Sequence, residues 1–348
     1  MRLISWSVIL ACPLTVLGFP SEARAESIVG SWQAPALDRW MYPFNATPGA
    51  RQTISTFGSD PASPQFDSRD GQFIIAFDTA PIVPGGLGSE NYSVSSAVLT
   101  VEFANDRIVA YDPTPDAWQT FRAPTDPAFV EDSDAGQPIE LFGCGFRNGF
   151  SAINFVENSP YSTPPNPLAS GVRNAFALSF DEAGAPIDVS NNPRVGFDPL
   201  RFATGQISDL APGELIPLRA TMSFSVSVSQ PQIQSYLRDG LNRGRVFLVV
   251  SSLTFVQQQG GNFPVFYAKE NPLIQAGQAR PASLTLTVQT GPTCVLADID
   301  CDGSVGGTDL TILLSGWGSN GSGNTGDING DGAVNGSDLT ELLGAWSN

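Results

Sequence analysis

Between about Ser27 and Gln289 the chain alternates apolar and polar positions in short runs punctuated by Pro and Gly. Leu99-Thr-Val101-Glu-Phe103, Phe176-Ala-Leu178-Ser-Phe180, Phe224-Ser-Val226-Ser-Val228 and Leu284-Thr-Leu286-Thr-Val288 each place apolar side chains on one face with period two, the pattern of half-buried strands. Phe73-Ile-Ile-Ala-Phe77 and Val246-Phe-Leu-Val-Val250 are continuously apolar, as expected of strands covered on both faces. With 35 Gly and 28 Pro as punctuation, the runs predict a mainly β fold, an antiparallel two-sheet β-sandwich. One helix interrupts it: Pro231 supplies a start, Ile233, Tyr236, Leu237 and Leu241 fall at helical spacing, and Gly244 supplies a stop. The stretch from Asp112 to Pro217 has the weakest pattern and contains Pro-rich pieces such as Asp112-Pro-Thr-Pro-Asp116. It is expected to form long surface loops around a few strands inserted in the sandwich.

Beyond a short linker after Thr290 the period changes. Leu310, Leu313, Leu314, Trp317 and Leu339, Leu342, Leu343, Trp346 both follow i, i+3, i+4, i+7, and the two helices are expected to bury these faces against each other. Each helix is preceded by an acidic loop, and the loops lie 29 residues apart: Asp298-Ile-Asp300-Cys-Asp302-Gly303-Ser304-Val305, closing at Asp309, and Asp327-Ile-Asn329-Gly-Asp331-Gly332-Ala333-Val334, closing at Asp338. Oxygen side chains at positions 1, 3, 5 and 12, Gly at 6 and a backbone carbonyl at 7 are what an EF-hand loop needs to wrap calcium. The expected ligands are Asp298, Asp300, Asp302, the Ser304 carbonyl and Asp309 for one ion. Asp327, Asn329, Asp331, the Ala333 carbonyl, Asn335 (directly or through water) and Asp338 serve a second. Val305 and Val334 are expected to pair as a strand bridge between the loops. Four carboxylates against three predict that the first site holds calcium more tightly, and magnesium, which keeps its waters, fits poorly.

Charge agrees with a cationic guest. Acidic residues outnumber basic ones 34 to 17, which argues against nucleic acid and anionic membrane as partners. No Lys or Arg follows Arg280, while the loop acids and Glu341 do. The chain has no His, so a Ser-His-Asp or Cys-His pair, a His general base and a His-ligated zinc are all excluded.

The N-terminus reads as an export signal over residues 1–25: Arg2, an apolar stretch from Leu3 to Phe19, and Ala23-Arg24-Ala25 as cleavage site. No other run reaches the ~18 apolar residues of a membrane span. In an exported chain Cys294 and Cys301 are near enough to form a disulfide stapling the first loop to the strand end before it, the alternative being two unpaired thiols. Cys144 is then left over and buried.

Neither Gly291-Pro-Thr-Cys-Val-Leu-Ala nor Ser319-Asn-Gly-Ser-Gly-Asn-Thr-Gly can be the helix that precedes a regular EF-hand loop. Loop-then-helix written twice resembles the dockerin type I family over residues 298–347. The resemblance implies two calcium ions and docking onto a cohesin-like partner through the loop end and first helical turn, with Thr308 and Ser337 at position 11 as partner contacts. Gly307 and Gly336 depart from that family's pattern at position 10, as does the lack of basic residues late in the helix. Phe224 to Val250, Phe266-Tyr-Ala-Lys-Glu270, Pro281 to Val288 and Arg69 to Phe77 loosely resemble jelly-roll modules related to disaggregatase, which implies a carbohydrate-binding-like sandwich.

Trp32, Trp40, Tyr42 and Trp118 are candidates for a sugar platform, weighed against burial in the core. Glu102, Glu140, Glu157, Asp181, Glu182 and Glu270 are available for glycoside hydrolysis, but their spacing singles out no pair. Lys269-Glu270 reads as a local ion pair. The organisation expected is a signal peptide (1–25), a β-sandwich with long loops (26–290) and a calcium-binding module (291–348). The function expected is that of a secreted or cell-surface, non-catalytic protein with a carbohydrate-binding-like or adhesive domain, anchored to a cohesin-like or cell-surface partner. Polysaccharide is its possible ligand; the alternatives are a carboxylate-dependent glycan-degrading enzyme with the same anchor, and a structural envelope protein.

Overall fold

The computed structural model describes residues 26–163, 169–256, 261–291, 296–300, 304–320 and 324–347. They fall into two compact units, one within 25–293 and one within 294–348. The proposed signal segment, Cys294, Cys301 and Asp302 lie outside the described residues.

The larger unit is built of antiparallel strands: β1 (Glu26–Trp32), β2 (Leu37–Met41), β3 (Thr53–Ser55), β4 (Phe57–Gly58), β5 (Arg69–Asp78), β6 (Tyr92–Glu102), β7 (Ile139–Phe146), β8 (Ala175–Phe180), β9 (Pro186–Asp188), β10 (Ala203–Thr204), β11 (Thr221–Ser225), β12 (Arg245–Ser252), β13 (Val265–Tyr267) and β14 (Ser283–Thr290). Apart from a small β3-β13 pair, one sheet has the order β1-β14-β6-β11 and the other β2-β5-β12-β7-β8-β9, with β4 beside β5 and β10 beside β7. The chain crosses repeatedly between them: β5 to β6, β6 to β7, β11 to β12. Their facing sides share one core, in which Phe73, Ile75, Phe77, Leu141, Val246, Leu248 and Val250 meet Leu99, Val101, Phe224, Leu284, Leu286 and Val288. This is the mainly β antiparallel sandwich the hydrophobic alternation predicts. The helices include α1 (Asn192–Val195), α2 (Pro231–Asn242) and α3 (Pro272–Gln275). Helix α2 buries Ile233, Leu237 and Leu241 and stops before Gly244, whose φ of 76° suits glycine.

The continuously apolar strands have a cause. The second sheet is covered on its outer side too: Leu37, Met41, Ile74, Ala76, Phe142, Cys144, Phe155, Ala175, Ala177, Val189, Phe247 and Val249 form a second core there. The segment 147–163, expected to be surface loop, is therefore a covering layer. Buried arginines hold it in place: the Arg39 guanidinium donates to the carbonyls of Glu157 (2.8 Å) and Ser159 (2.7 Å). Arg173 pairs with Asp67 at 2.7 Å, both fully buried. Arg69, also fully buried, pairs with Glu140 at 2.6 Å, and Arg201 closes on the same carboxylate.

Two details correct the sequence reading. On β8 the fully buried residues are Ala175, Ala177 and Ser179, while Phe176, Leu178 and Phe180 are half-buried, because the second core takes the small-residue face. Strand β7, central in its sheet, was hidden by its glycines. A Cβ at Gly143 would stand 3.0 Å from the Phe202 and Tyr236 rings, and one at Gly145 would stand 2.3 Å from the Phe176 ring.

Candidate functional site

The smaller unit holds helices α4 (Gly307–Ser315) and α5 (Gly336–Gly344), each entered directly from an acidic loop. Its core is Ala297, Val305, Leu313, Ile328, Val334 and Leu342, with Leu310, Leu339 and Ile299 packed against it. The expectation that the helices bury their whole Leu and Trp faces is corrected. Leu314, Trp317, Leu343 and Trp346 are exposed, because nine-residue helices reach each other through a single fully buried Leu apiece and the loop residues fill the remaining space. The expected Val305–Val334 bridge is corrected as well. The N–H of Ser347 donates to the Val305 carbonyl (2.9 Å), and the Val305 N–H to Ser347 Oγ (2.9 Å). Val334 exchanges backbone bonds with Gly318 and Ser319. Each loop is thus tied to the chain leaving the other repeat's helix, while the two valine side chains meet in the shared core.

The loops are built alike around their last carboxylate. Asp309 Oδ1 accepts from the N–H of Ile299 (2.6 Å) and Asp300 (3.1 Å), and its Oδ2 from Gly306 (2.7 Å). Asp338 Oδ1 accepts from Ile328 (2.8 Å) and Asn329 (3.1 Å), and its Oδ2 from Asn335 (2.8 Å). Burial raises both carboxyls while these backbone donors lower them. The donors prevail and hold both below the usual carboxylate range. One residue in the first turn of each helix therefore closes its loop into a ring and stays charged.

Inside the ring the acidic side chains converge. Carboxylate oxygens of Asp298, Asp300 and Asp309 lie within 4.8 Å of one another. Oxygens on one calcium ion, each about 2.3–2.6 Å from it, span up to about 5 Å. In the second loop Asp327 Oδ2 accepts from the Gly332 N–H (2.9 Å), whereas its Oδ1 is buried without a hydrogen-bond partner. A buried, unpaired carboxylate oxygen in a ring of carboxylates and amide oxygens fits a hard cation. Asn329 Oδ1 and Asp331 Oδ1 accept from backbone N–H groups two residues on, at 2.9 Å each, which orients both toward the loop. Gly332, at position 6, has φ 88°, the left-handed turn that position needs. The Ala333 carbonyl accepts from Asn335 Nδ2 at 3.2 Å. Asn335 caps α5 by accepting from the Ser337 N–H at 2.8 Å. Ser304, Thr308 and Ser337 are exposed on the loop and the first helical turns.

In the larger unit the aromatic candidates disperse. Trp32 and Trp40 pack against the main core. Tyr42 stacks on Trp40 at 4.5 Å, with Arg51 over that ring, and Trp118 lies under Arg122. The carboxylates disperse also. Glu140 is locked between two arginines, Glu102 pairs with Arg219, and Asp181 accepts from turn amides of Ala183 and Ala185. Glu157 and Glu270 are brought together with buried Asp38 around Lys269, whose ammonium contacts all three. The expected local Lys269–Glu270 pair is thus part of a three-carboxylate cluster joining distant segments. Desolvation pushes Asp38 up to about 6, against the lowering effect of Lys269.

Sequence reasoning missed a cleft of about 370 Å³ beside Phe121, Arg122, Arg194, Asp60 and Phe255. Its walls come from segments far apart in the chain, so no local pattern signals it. Among the described residues no helix is long and apolar enough to cross a membrane.

No curated protein matches the chain. Residues 296–344 match the family model of the dockerin type I domain, a family that binds calcium and docks on cohesins, and over that segment the chain is dockerin-like.

Proposed function

We propose that this is an exported protein whose C-terminal repeats each hold one calcium ion and dock on a cohesin-like partner, while the β-sandwich binds a polysaccharide without cleaving it. The paired loops carry the proposal, above all the Asp309 and Asp338 rings and the unpartnered Asp327 oxygen inside the second. Asp298, Asp300, Asp302, the Ser304 carbonyl and Asp309 serve one ion. Asp327, Asn329, Asp331, the Ala333 carbonyl, Asn335 and Asp338 serve the other. When bound, calcium supplies the charge that lets these oxygens crowd together.

Thr308 and Ser337, with the exposed Leu314–Trp317 and Leu343–Trp346 pairs, are suited to partner contact, because large apolar residues repeated on the surface of a small unit mark an interaction face. A disulfide between Cys294 and Cys301 remains part of the proposal. For the glycan, the cleft offers what a sugar needs: the half-buried Phe121 and exposed Phe255 rings to stack on, and Arg122, Arg194 and Asp60 to bond hydroxyls.

The glycan-degrading alternative draws on Asp38, Glu157 and Glu270. Lys269 contacts all three carboxylates, and buried Asp38 is held by both its ammonium and its backbone N–H, so the group is built as an ion-pair joint rather than as two carboxyls flanking a bond, and binding is the preferred reading. Calorimetric titration of the chain with calcium, then passage over immobilised polysaccharides, tests the proposal. Loss of one calcium-binding event with Asp298→Ala and of another with Asp327→Ala, and retention lost with Phe255→Ala, support it. Release of reducing ends would replace the binder with the enzyme.

A further inference from the structure

A third acidic cluster lies in the larger unit, built partly from the Pro-rich Asp112–Asp116 piece and apart from the sites described above. Carboxylate oxygens of Asp112, Asp116 and Asp134 lie within 4.8 Å of one another, the span that ligands of one calcium ion occupy. Asp112 and Asp116 are 3% and 8% exposed, and Asp134 stands at the surface. Acidic clusters are common, and proximity alone would mean little.

The second observation is that two of the buried oxygens are unsatisfied. Asp112 Oδ2 and Asp116 Oδ2 are both inaccessible to solvent and without a hydrogen-bond partner. Asp112 spends its other oxygen on the Thr114 N–H (2.8 Å) and hydroxyl (2.7 Å). The same hydroxyl is 2.7 Å from Asp134 Oδ2, but its one proton can serve only one carboxylate. The Arg201 guanidinium donates to the Asp116 carbonyl and pairs with Glu140, not with the Asp116 carboxylate. Leaving two buried carboxylate oxygens unpaired is costly unless a cation or proton joins them.

We propose that Asp112, Asp116 and Asp134 form a calcium site in the β-sandwich unit, independent of the C-terminal loops. The ligands are all oxygen, three carboxylates against a double positive charge, and the exposed side of Asp134 leaves room for completing waters. Such an ion ties the turn at 112–116 to the segment that enters β7. Gly136 comes close there: a Cβ on it would meet Asp112 Cβ at 3.0 Å. The Pro-rich Asp112-Pro-Thr-Pro-Asp116 piece then makes sense as a stiff ligand turn.

The test uses the full chain carrying Asp298→Ala and Asp327→Ala, titrated with calcium by calorimetry and followed by thermal unfolding. This chain should bind one calcium ion and melt higher when calcium is added. Adding Asp116→Asn should abolish both effects, and adding the exposed Asp134→Asn should weaken binding more than about tenfold. In chelator the Asp116→Asn chain should melt no lower than its parent, because the substitution removes a buried unpaired charge and keeps the shape. Equal calcium stoichiometry and equal thermal response with and without Asp116→Asn overturn the site. Failure of the C-terminal loops shows separately, as a stoichiometry that Asp298→Ala and Asp327→Ala leave unchanged.

Discussion

Asp309 and Asp338 each hold three backbone N–H groups and present the same carboxylate to the loop interior, so each contributes to folding before any ion arrives. Asp338→Ala should therefore destabilise the C-terminal unit by about 1–3 kcal/mol even in chelator, read by hydrogen exchange at Ile328, Asn329 and Asn335. If those amides exchange as in the parent, the ring is not formed. Asp70 gives the residue-scale pH prediction. Desolvation and nearby Asp67, against the opposing pull of Arg173, raise it from 3.8 to about 7. The folded state then binds more protons than the unfolded state between those values, so its contribution is full at low pH and is lost as pH rises through about 7. Asp70→Asn should reduce the fall in stability between about pH 4 and 7, measured by denaturant titration at several pH values. An unchanged pH profile would contradict the raised value.

Strands and helices carry the next level. The second sheet is sealed on both sides, and its outer cover is pinned by ion pairs that no sequence period announces. Glu140, 1% exposed, answers both Arg69 and Arg201, and Glu140→Gln leaves the fully buried Arg69 without its counter-charge. The expected cost is about 3–5 kcal/mol in chemical denaturation, and a cost below about 1 kcal/mol would show that the pair is not formed. Strand β7 supplies a steric counterpart. Gly145→Ala would bring a methyl within 2.3 Å of the Phe176 ring and should cost about 1–3 kcal/mol.

These cases show what was legible. Alternation located β6, β8, β11 and β14 and continuous apolar runs located β5 and β12, because their apolar residues face a core, and Pro231 and Gly244 marked α2 because caps are local chemistry. Strand β7 was hidden by glycines that only distant rings explain, and the covering layer by loops whose burial depends on Arg39, Arg69 and Arg173. In the paired acidic loops the spacing that brings Asp298, Asp300 and Asp309 together was legible. The swapped backbone ties of Val305 and Val334 were not, since these depend on how the two repeats fold together.

At the scale of the whole chain, two units of different physics are joined. The β-sandwich unit rests on two apolar cores and buried ion pairs. Among its described residues the C-terminal unit has six buried apolar residues beside two acidic rings, little apolar burial to set against that much like charge. Calcium removal should accordingly split unfolding into two transitions by calorimetry, with the C-terminal unit melting first. The proposed glycan cleft and the proposed docking face belong to different units, so on that proposal loss of calcium in the loops should abolish docking and spare glycan retention.

Native mass spectrometry of the full chain in calcium directly counts the ions that the paired loops are proposed to hold. One calcium fewer per chain with Asp298→Ala, one fewer with Asp327→Ala and two fewer with both is the predicted result. An ion count that is the same in the parent and the double variant would contradict it.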